Sequence, residues 1–124
     1  MKGLAVMLAA AALCAVSLET GAVAAEGFQK LSGNQIRAKL AGMQLTDEVH
    51  WRDVYDRNGM LRSYADGKKR VGKWVIEKDE LCAYFREPED GCYEVSLSGG
   101  RIEMKPTGLG LSIEGMLQTP TDRK

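Results

Sequence analysis

VGKWVIEKDELCAYFREPEDGCYEVSLSGGRIEM, residues 71–104, alternates apolar and polar side chains in short runs separated by turn-forming clusters. Trp74 and Ile76 share one side of the first run, and Leu81, Ala83 and Phe85 one side of the second. Tyr93, Val95 and Leu97 repeat the pattern, as do Ile102 and Met104. A period of two belongs to a β-strand with one buried and one wet face. The breaks at Lys78-Asp79-Glu80, Pro88-Glu89-Asp90-Gly91 and Ser98-Gly99-Gly100 carry the residues that reverse a chain. Consecutive strands joined so tightly can only run antiparallel.

The pattern extends in both directions. Upstream, Met60 to Ala65 is a strand between the turns Arg57-Asn58-Gly59 and Asp66-Gly67, and Lys68-Lys69-Arg70 falls at the second turn as a solvated tip. Val49, Trp51 and Tyr55 share one parity, with Asp53 the exception on the same side. Downstream, Pro106-Thr107-Gly108 turns the chain, Leu109, Leu111, Ile113 and Leu117 close the pattern, and Thr119 to Lys124 forms a polar, frayed tail. Near the start, Ser32-Gly33-Asn34-Gln35 has the form of a capping box, Ile36 and Leu40 recur one helical turn apart, and Gly42 suits the position after a helix. One short helix over 33–41 follows, too short to be stable unless docked on a sheet. The fold class predicted is mainly β: an antiparallel meander of seven or eight strands curled into a small barrel or strongly curved sheet, with the short N-terminal helix at an open end. A sandwich is the alternative.

Before this domain lies a different composition. Met1-Lys2 is followed by an uncharged, Ala- and Leu-rich run from Gly3 to Leu18, then Glu19-Thr20-Gly21 and the small residues of Ala22-Val23-Ala24-Ala25. That order is that of a cleavable export signal. The alternative, a transmembrane anchor, needs roughly 20 apolar residues. A lipid anchor on Cys14 would need a small residue where Leu13 stands. The expected organisation is a signal peptide over 1–25, a single β-rich domain over 26–118 and a flexible tail over 119–124, placed in the periplasm or secreted, with no membrane insertion after cleavage.

Export decides the cysteine chemistry. Cys14 leaves with the leader, and Cys82 and Cys92 remain as an even pair in an oxidising compartment, which reads as a disulfide; two free thiols are the alternative. Both cysteines lie out of phase with their apolar neighbours, so both point to the wet face. A tight loop over 88–91 would set Cys82 opposite Leu97 and mismatch the faces. A wider loop from Arg86 to Gly91 sets Cys82 opposite Cys92.

The whole chain has 17 basic and 17 acidic residues, and the balance survives loss of the leader. Nucleic-acid or anionic-membrane binders show a basic excess, so neither partner is expected. His50 is the only histidine, and no zinc, copper, haem or redox motif is present. No cofactor is expected. No G-x-S-x-G elbow accompanies a Ser-His-Asp set, and the carboxylates at Asp47-Glu48, Glu77 to Glu80 and Glu87 to Asp90 fall in turns. The chain is therefore expected not to be an enzyme. The aromatic set Trp51, Tyr55, Trp74, Phe85 and Tyr93 falls mostly on the inward parity: either core, or the wall of a ligand cavity in a barrel mouth.

Trp51, Asn58-Gly59, Asp66-Gly67, Gly72-Lys73-Trp74, Leu81-Cys82 and Cys92-Tyr93 together resemble the pattern of small uncharacterised periplasmic proteins of Gram-negative bacteria. The resemblance implies an exported β domain. Gly72-Lys73-Trp74 followed by Cys82 is similar to lipocalin-like periplasmic protease inhibitors, whose inhibitory segment would map onto Glu26 to Leu31. Tyr55 to Trp74 is similar to one hairpin of the MORN type. The function expected first is an exported, non-enzymatic module binding a periplasmic protein or a small ligand. The alternatives are an inhibitor of an exported protease and a small hydrolase using His50 with a nearby carboxylate.

Overall fold

The computed structural model describes residues 27–88 and 90–121; the export signal expected over 1–25, Cys14 and the last three residues lie outside the described residues. The elements in chain order are β1 (Gln29–Lys30), α1 (Gly33–Leu40), β2 (Met43–Thr46), β3 (Trp51–Tyr55), β4 (Met60–Ala65), β5 (Lys68–Glu77), β6 (Glu80–Tyr84), β7 (Gly91–Ser98), β8 (Arg101–Pro106) and β9 (Ile113–Gln118). Every pairing is antiparallel. Strands β2 to β9 pair in sequence order, and β9 returns to pair with β2, so the eight-stranded sheet closes on itself. Closure removes the exposed strand edges that a meander would otherwise present. The short β1 lies outside the circuit. It pairs with β7 at Leu97 and Ser96, beyond the point where β6 leaves the same edge at Tyr93.

The helix plugs one end. Its capping box is complete: the Gln35 amide donates to Ser32 Oγ and the Ser32 amide donates to Gln35 Oε1. Ile36 and Leu40 are fully buried, each adding roughly 1.5–3 kcal/mol of apolar burial. The start of α1 touches the β5–β6 turn, where the Gly33 amide donates to Asp79 Oδ1 at 2.8 Å. A Cβ at Gly33 would sit 2.6 Å from the Lys78 carbonyl oxygen, so only glycine allows the approach. Gly42 leaves the helix at φ +80° and donates to the Tyr55 carbonyl.

The core joins this helix to the inward row of the barrel: Leu45, Tyr55, Leu61, Trp74, Leu81, Val95, Ile102 and Met104. Eight strands leave an interior that side chains nearly fill.

Four expectations change. Lys68-Lys69-Arg70 lies not in the turn but in the first, turn-side third of β5, because the Asp66-Gly67 reversal is complete in two residues and pairing starts at Lys68; Lys68 and Lys69 are solvated as expected, and Arg70 is half-buried. Leu109 and Leu111 belong to no strand; β9 starts only at Ile113, and both leucines stand almost fully exposed in the β8–β9 loop. Val49 likewise falls in the β2–β3 loop and is exposed. The tail is not wholly frayed: the Thr121 amide and hydroxyl both donate to Gln44 Oε1.

Candidate functional site

In an antiparallel barrel alternate connections emerge at the same end. The loops β2–β3, β4–β5, β6–β7 and β8–β9 therefore surround the end opposite the helix. A cavity of about 240 Å³ opens there. Tyr55, Phe85 and Tyr93 line it, together with Leu61, Leu81 and Met104. Of the five aromatic residues the sequence singled out, these three meet. Trp74 does not: it is buried toward the helix end, edge-on to Tyr55 and under Arg37. Trp51 keeps its inward parity and packs against the core, its ring tip 3.0 Å from where a Cβ of Gly115 would be, and it also borders a groove between the β2–β3 loop and the β4–β5 turn.

The cavity wall carries a polar row that the sequence reading did not assemble. Asp53, Ser63 and Arg70 are register partners on β3, β4 and β5. All three line the cavity. Asp53 is the parity exception noted above, and it does face inward. Burial pushes its carboxyl above the usual carboxylate range, an effect offset in part by the Ser63 hydroxyl and the Arg70 charge. Burial likewise holds the Tyr55 phenol well above its ordinary value, reinforced by Asp53 and Tyr93; its hydroxyl points at Met104 Sδ. Ser63 and Arg70 escaped notice because Arg70 was placed in a turn. Once β5 begins at Lys68, Arg70 shares the parity of Gly72 and Trp74 and must face inward.

The β6–β7 loop hangs over this cavity and is tied down by two devices. Arg70 Nη1 donates to Glu87 Oε2, and its guanidinium lies 4.5 Å from the Phe85 ring centre. Asp90 accepts from the amides of Phe85, Arg86 and Glu87. Burial raises the Asp90 carboxyl, but those three amides and the Arg70 charge outweigh it and leave the group lowered. Phe85 reaches inward across Gly72, where a Cβ would meet its ring at 2.6 Å.

Cys82 and Cys92 are direct register partners and are joined as a disulfide, as the wider loop required. The expectation that both face the wet side needs correction. Cys82 is fully buried, because Val75 of β5 and Cys92 of β7 flank it on the outer wall; Cys92 is half-buried. Among the described residues, the grouping of Glu77 with these two sulfurs has metal-ligand spacing, but the sulfurs are spent on each other.

His50 Nδ1 lies 2.8 Å from Asp47 Oδ2. Asp47 Oδ1 also accepts from the amides of Val49, His50 and Trp51. Burial raises that carboxyl, and the three amides with the His50 ring overcome it and hold it far below the usual range. The turn carboxylates Asp47 and Asp90 are thus turn-builders rather than merely solvated charges.

No protein-family model, curated protein or solved structure matches the chain. Among the described residues, no helix is long and apolar enough to cross a membrane.

Asp53 gives a pH prediction. In the unfolded chain an aspartate ionises near pH ~3.9. In the fold it stays protonated to higher pH. The unfolded state therefore loses its proton first as pH rises, and Asp53 costs stability from about pH 4 upward until the folded group also ionises. Asp53→Asn should match the wild type in urea unfolding at low acid pH and exceed it above about pH 4, by a margin that grows until the folded Asp53 ionises and stays constant beyond. A constant difference at all pH values would show that Asp53 is not the group titrating.

Proposed function

We propose that this protein is an exported, non-enzymatic binding module that takes a small, mostly apolar ligand through the open end of its barrel. The observation that carries this reading is the inward row Asp53, Ser63 and Arg70, set into an otherwise apolar interior beside the cavity. Ser63 is buried and Asp53 half-buried, while the Arg70 side chain reaches the mouth and is 41 % exposed, so the row runs from the interior to the opening; a barrel closed only for stability would fill the inner positions with aliphatic side chains. Aromatic walls with a few convergent polar groups are the make-up of a ligand pocket. At about 240 Å³ the cavity is below the ~300–1,000 Å³ typical of drug-sized sites, so the ligand is small. Helix at one end and loops at the other leave one entrance. The disulfide is compatible with an oxidising compartment, which supports the periplasmic or secreted placement.

The test is a screen of small apolar compounds against the isotope-labelled protein, read by backbone amide NMR. Binders should shift amides at Tyr55, Ser63, Phe85 and Tyr93, and Phe85→Ala should weaken them about tenfold, equivalent to ~1.4 kcal/mol. Binders that shift only amides of the outer wall, or a library with none that reach these four, would remove the proposal.

A further inference from the structure

We propose that the open edge of β5, with the groove beside it on the outer wall, captures the C-terminal segment of another protein as an added strand. The edge follows from the register. β5 is ten residues long, but β4 covers only Lys68 to Lys73 on one side and β6 only Lys73 to Glu77 on the other. In an antiparallel pair alternate residues turn their amide and carbonyl to the same neighbour. The Trp74 amide donates to the Gly59 carbonyl, so the even-numbered residues of β5 face β4 and the odd-numbered ones face β6. Lys73, Val75 and Glu77 meet Tyr84, Cys82 and Glu80 there. Lys69 and Val71 meet no strand, because β6 has already left: Phe85 turns inward across Gly72, and Arg86 takes φ +64°. Among the described residues, no turn or loop bond reaches the main chain of either residue. Their amides and carbonyls point out of the sheet along one line, which is the feature an extended peptide pairs with.

The edge is continuous with a groove of about 660 Å³, lined by Met60, Val71, Lys73, Tyr84, Phe85 and Arg86. Met60 and Tyr84 are 40 % exposed and Val71 51 %, so apolar surface from three neighbouring strands stands open to solvent beside the edge. The Tyr84 hydroxyl donates to Glu77 Oε2 at 2.7 Å, which leaves its ring as the contact surface. The lining holds two cations, Lys73 and Arg86, and no carboxylate. The register partners of Lys73 are Met60 and Tyr84, and the nearby Glu87 already accepts from Arg70. Among the described residues, neither Lys73 nor Arg86 has an ion-pair partner.

These features decide the occupant. An added strand takes the lane that β6 vacates, and it cannot run past Gly72, because Tyr84 fills the lane from there on. A strand that must stop at that point is a chain end. Lys73 and Arg86 stand at the blocked end, so the end is a carboxylate and not an ammonium. The peptide therefore runs parallel to β5, with an apolar last side chain beside Val71 and Tyr84 and its carboxylate on the two cations. A second copy adding its own β5 would set Lys69, Lys73 and Arg86 against like charges, so the edge selects a different chain. The site does not depend on the interior cavity: the two linings share only Phe85.

The test uses the full disulfide-bonded protein. In its free form the Lys69 and Val71 amides should exchange fast with deuterium, and those of Arg70 and Gly72 slowly. Slow exchange at Lys69 and Val71 would mean a closed edge and overturn the proposal. Random hexapeptides displayed with free C-termini are then panned against the protein, and the selected peptides are synthesised and titrated by NMR. They should end in an aliphatic residue, shift the amides of Lys69, Val71, Lys73 and Arg86, and slow exchange at Lys69 and Val71. Amidation of the peptide C-terminus should weaken binding about tenfold. Lys73→Gln and Arg86→Gln should each weaken the free acid about tenfold and the amide little. Val71→Pro removes one edge donor, spares the β4 ladder and should abolish binding. If that variant fails to fold, the two substitutions at the exposed Lys73 and Arg86 decide. Selection of no peptide overturns the proposal, as do peptides that bind equally well as amides. So does decanoate, if it matches the peptides at these four amides, since it carries a carboxylate and an apolar chain but no strand.

Discussion

Trp74→Ala is expected to destabilise the barrel by about 4 kcal/mol, at the upper end of what single core substitutions cost. Trp74 is 2 % exposed and fastens three elements at once. Its ring packs edge-on against Tyr55 with centroids 5.6 Å apart. Arg37 of α1 covers its face. Its Nε1 donates to the Asp56 carbonyl at 2.9 Å, and its own amide donates to the Gly59 carbonyl, which pins the β3–β4 turn over β5. Truncation would open a void beneath the helix and strip the Asp56 carbonyl of its donor. A helix of this length has little stability of its own, so it should loosen with the void. For a domain of about 100 residues, the loss corresponds to a fall in Tm of roughly 16–32 °C. Trp74→Phe separates the contributions: it restores most of the volume and leaves the carbonyl unsatisfied, for a cost of about 1–3 kcal/mol. Urea unfolding followed by circular dichroism measures both. A Trp74→Ala loss below about 1 kcal/mol would mean that the helix end collapses around the void and that Trp74 is not the fastening point.

The period-two alternation made the strands legible, and the closed barrel follows from it because eight short antiparallel strands with one apolar face have few other ways to hide their edges. The capping box at Ser32 and Gln35 and the glycine at 42 were equally plain, since both are local chemistry. What stayed hidden was non-local. Arg70 belongs to the interior only if β5 starts two residues before it, and the sequence reading placed Lys68-Lys69-Arg70 at the turn because three consecutive cations look like a solvated tip. Asp53 broke the apolar parity of its strand, and that break was the available signal for a polar interior site. It became a site only when the register set Ser63 and Arg70 beside it. Leu109 and Leu111 misled in the opposite sense. They keep the alternation of a strand, but the glycines at 108 and 110 let the chain leave the sheet, and Gly110 sits at φ +148°. Parity also placed Cys82 on the outer wall correctly and its burial wrongly, because outward-facing does not mean exposed where neighbouring strands carry Val75 and a bonded cysteine.

Breaking the disulfide is the second large effect, and it acts at the other end of the molecule. The β6–β7 pairing is short, running only from Leu81–Tyr93 to Ala83–Gly91, and Cys82–Cys92 lies at its centre. Beyond it the chain leaves the sheet as the loop that carries Phe85, Glu87 and Asp90 over the cavity. The bond spans ten positions of sequence, and closing a ring of that size removes about 3 kcal/mol of chain entropy from the unfolded state. The variant Cys82→Ala with Cys92→Ser, which keeps the buried position apolar, should lose that amount and about 12–24 °C of Tm. Dithiothreitol should lower the wild type to the level of the variant and leave the variant unmoved. Hydrogen exchange should quicken over residues 84–91 more than at the helix end, and with the loop loosened Phe85 would no longer be held over the cavity, so ligand affinity should fall with it. A wild type indifferent to reductant, or one that presents two alkylatable thiols before any reductant is added, would sever the link between this bond, the oxidising compartment and the preformed mouth on which the binding proposal relies.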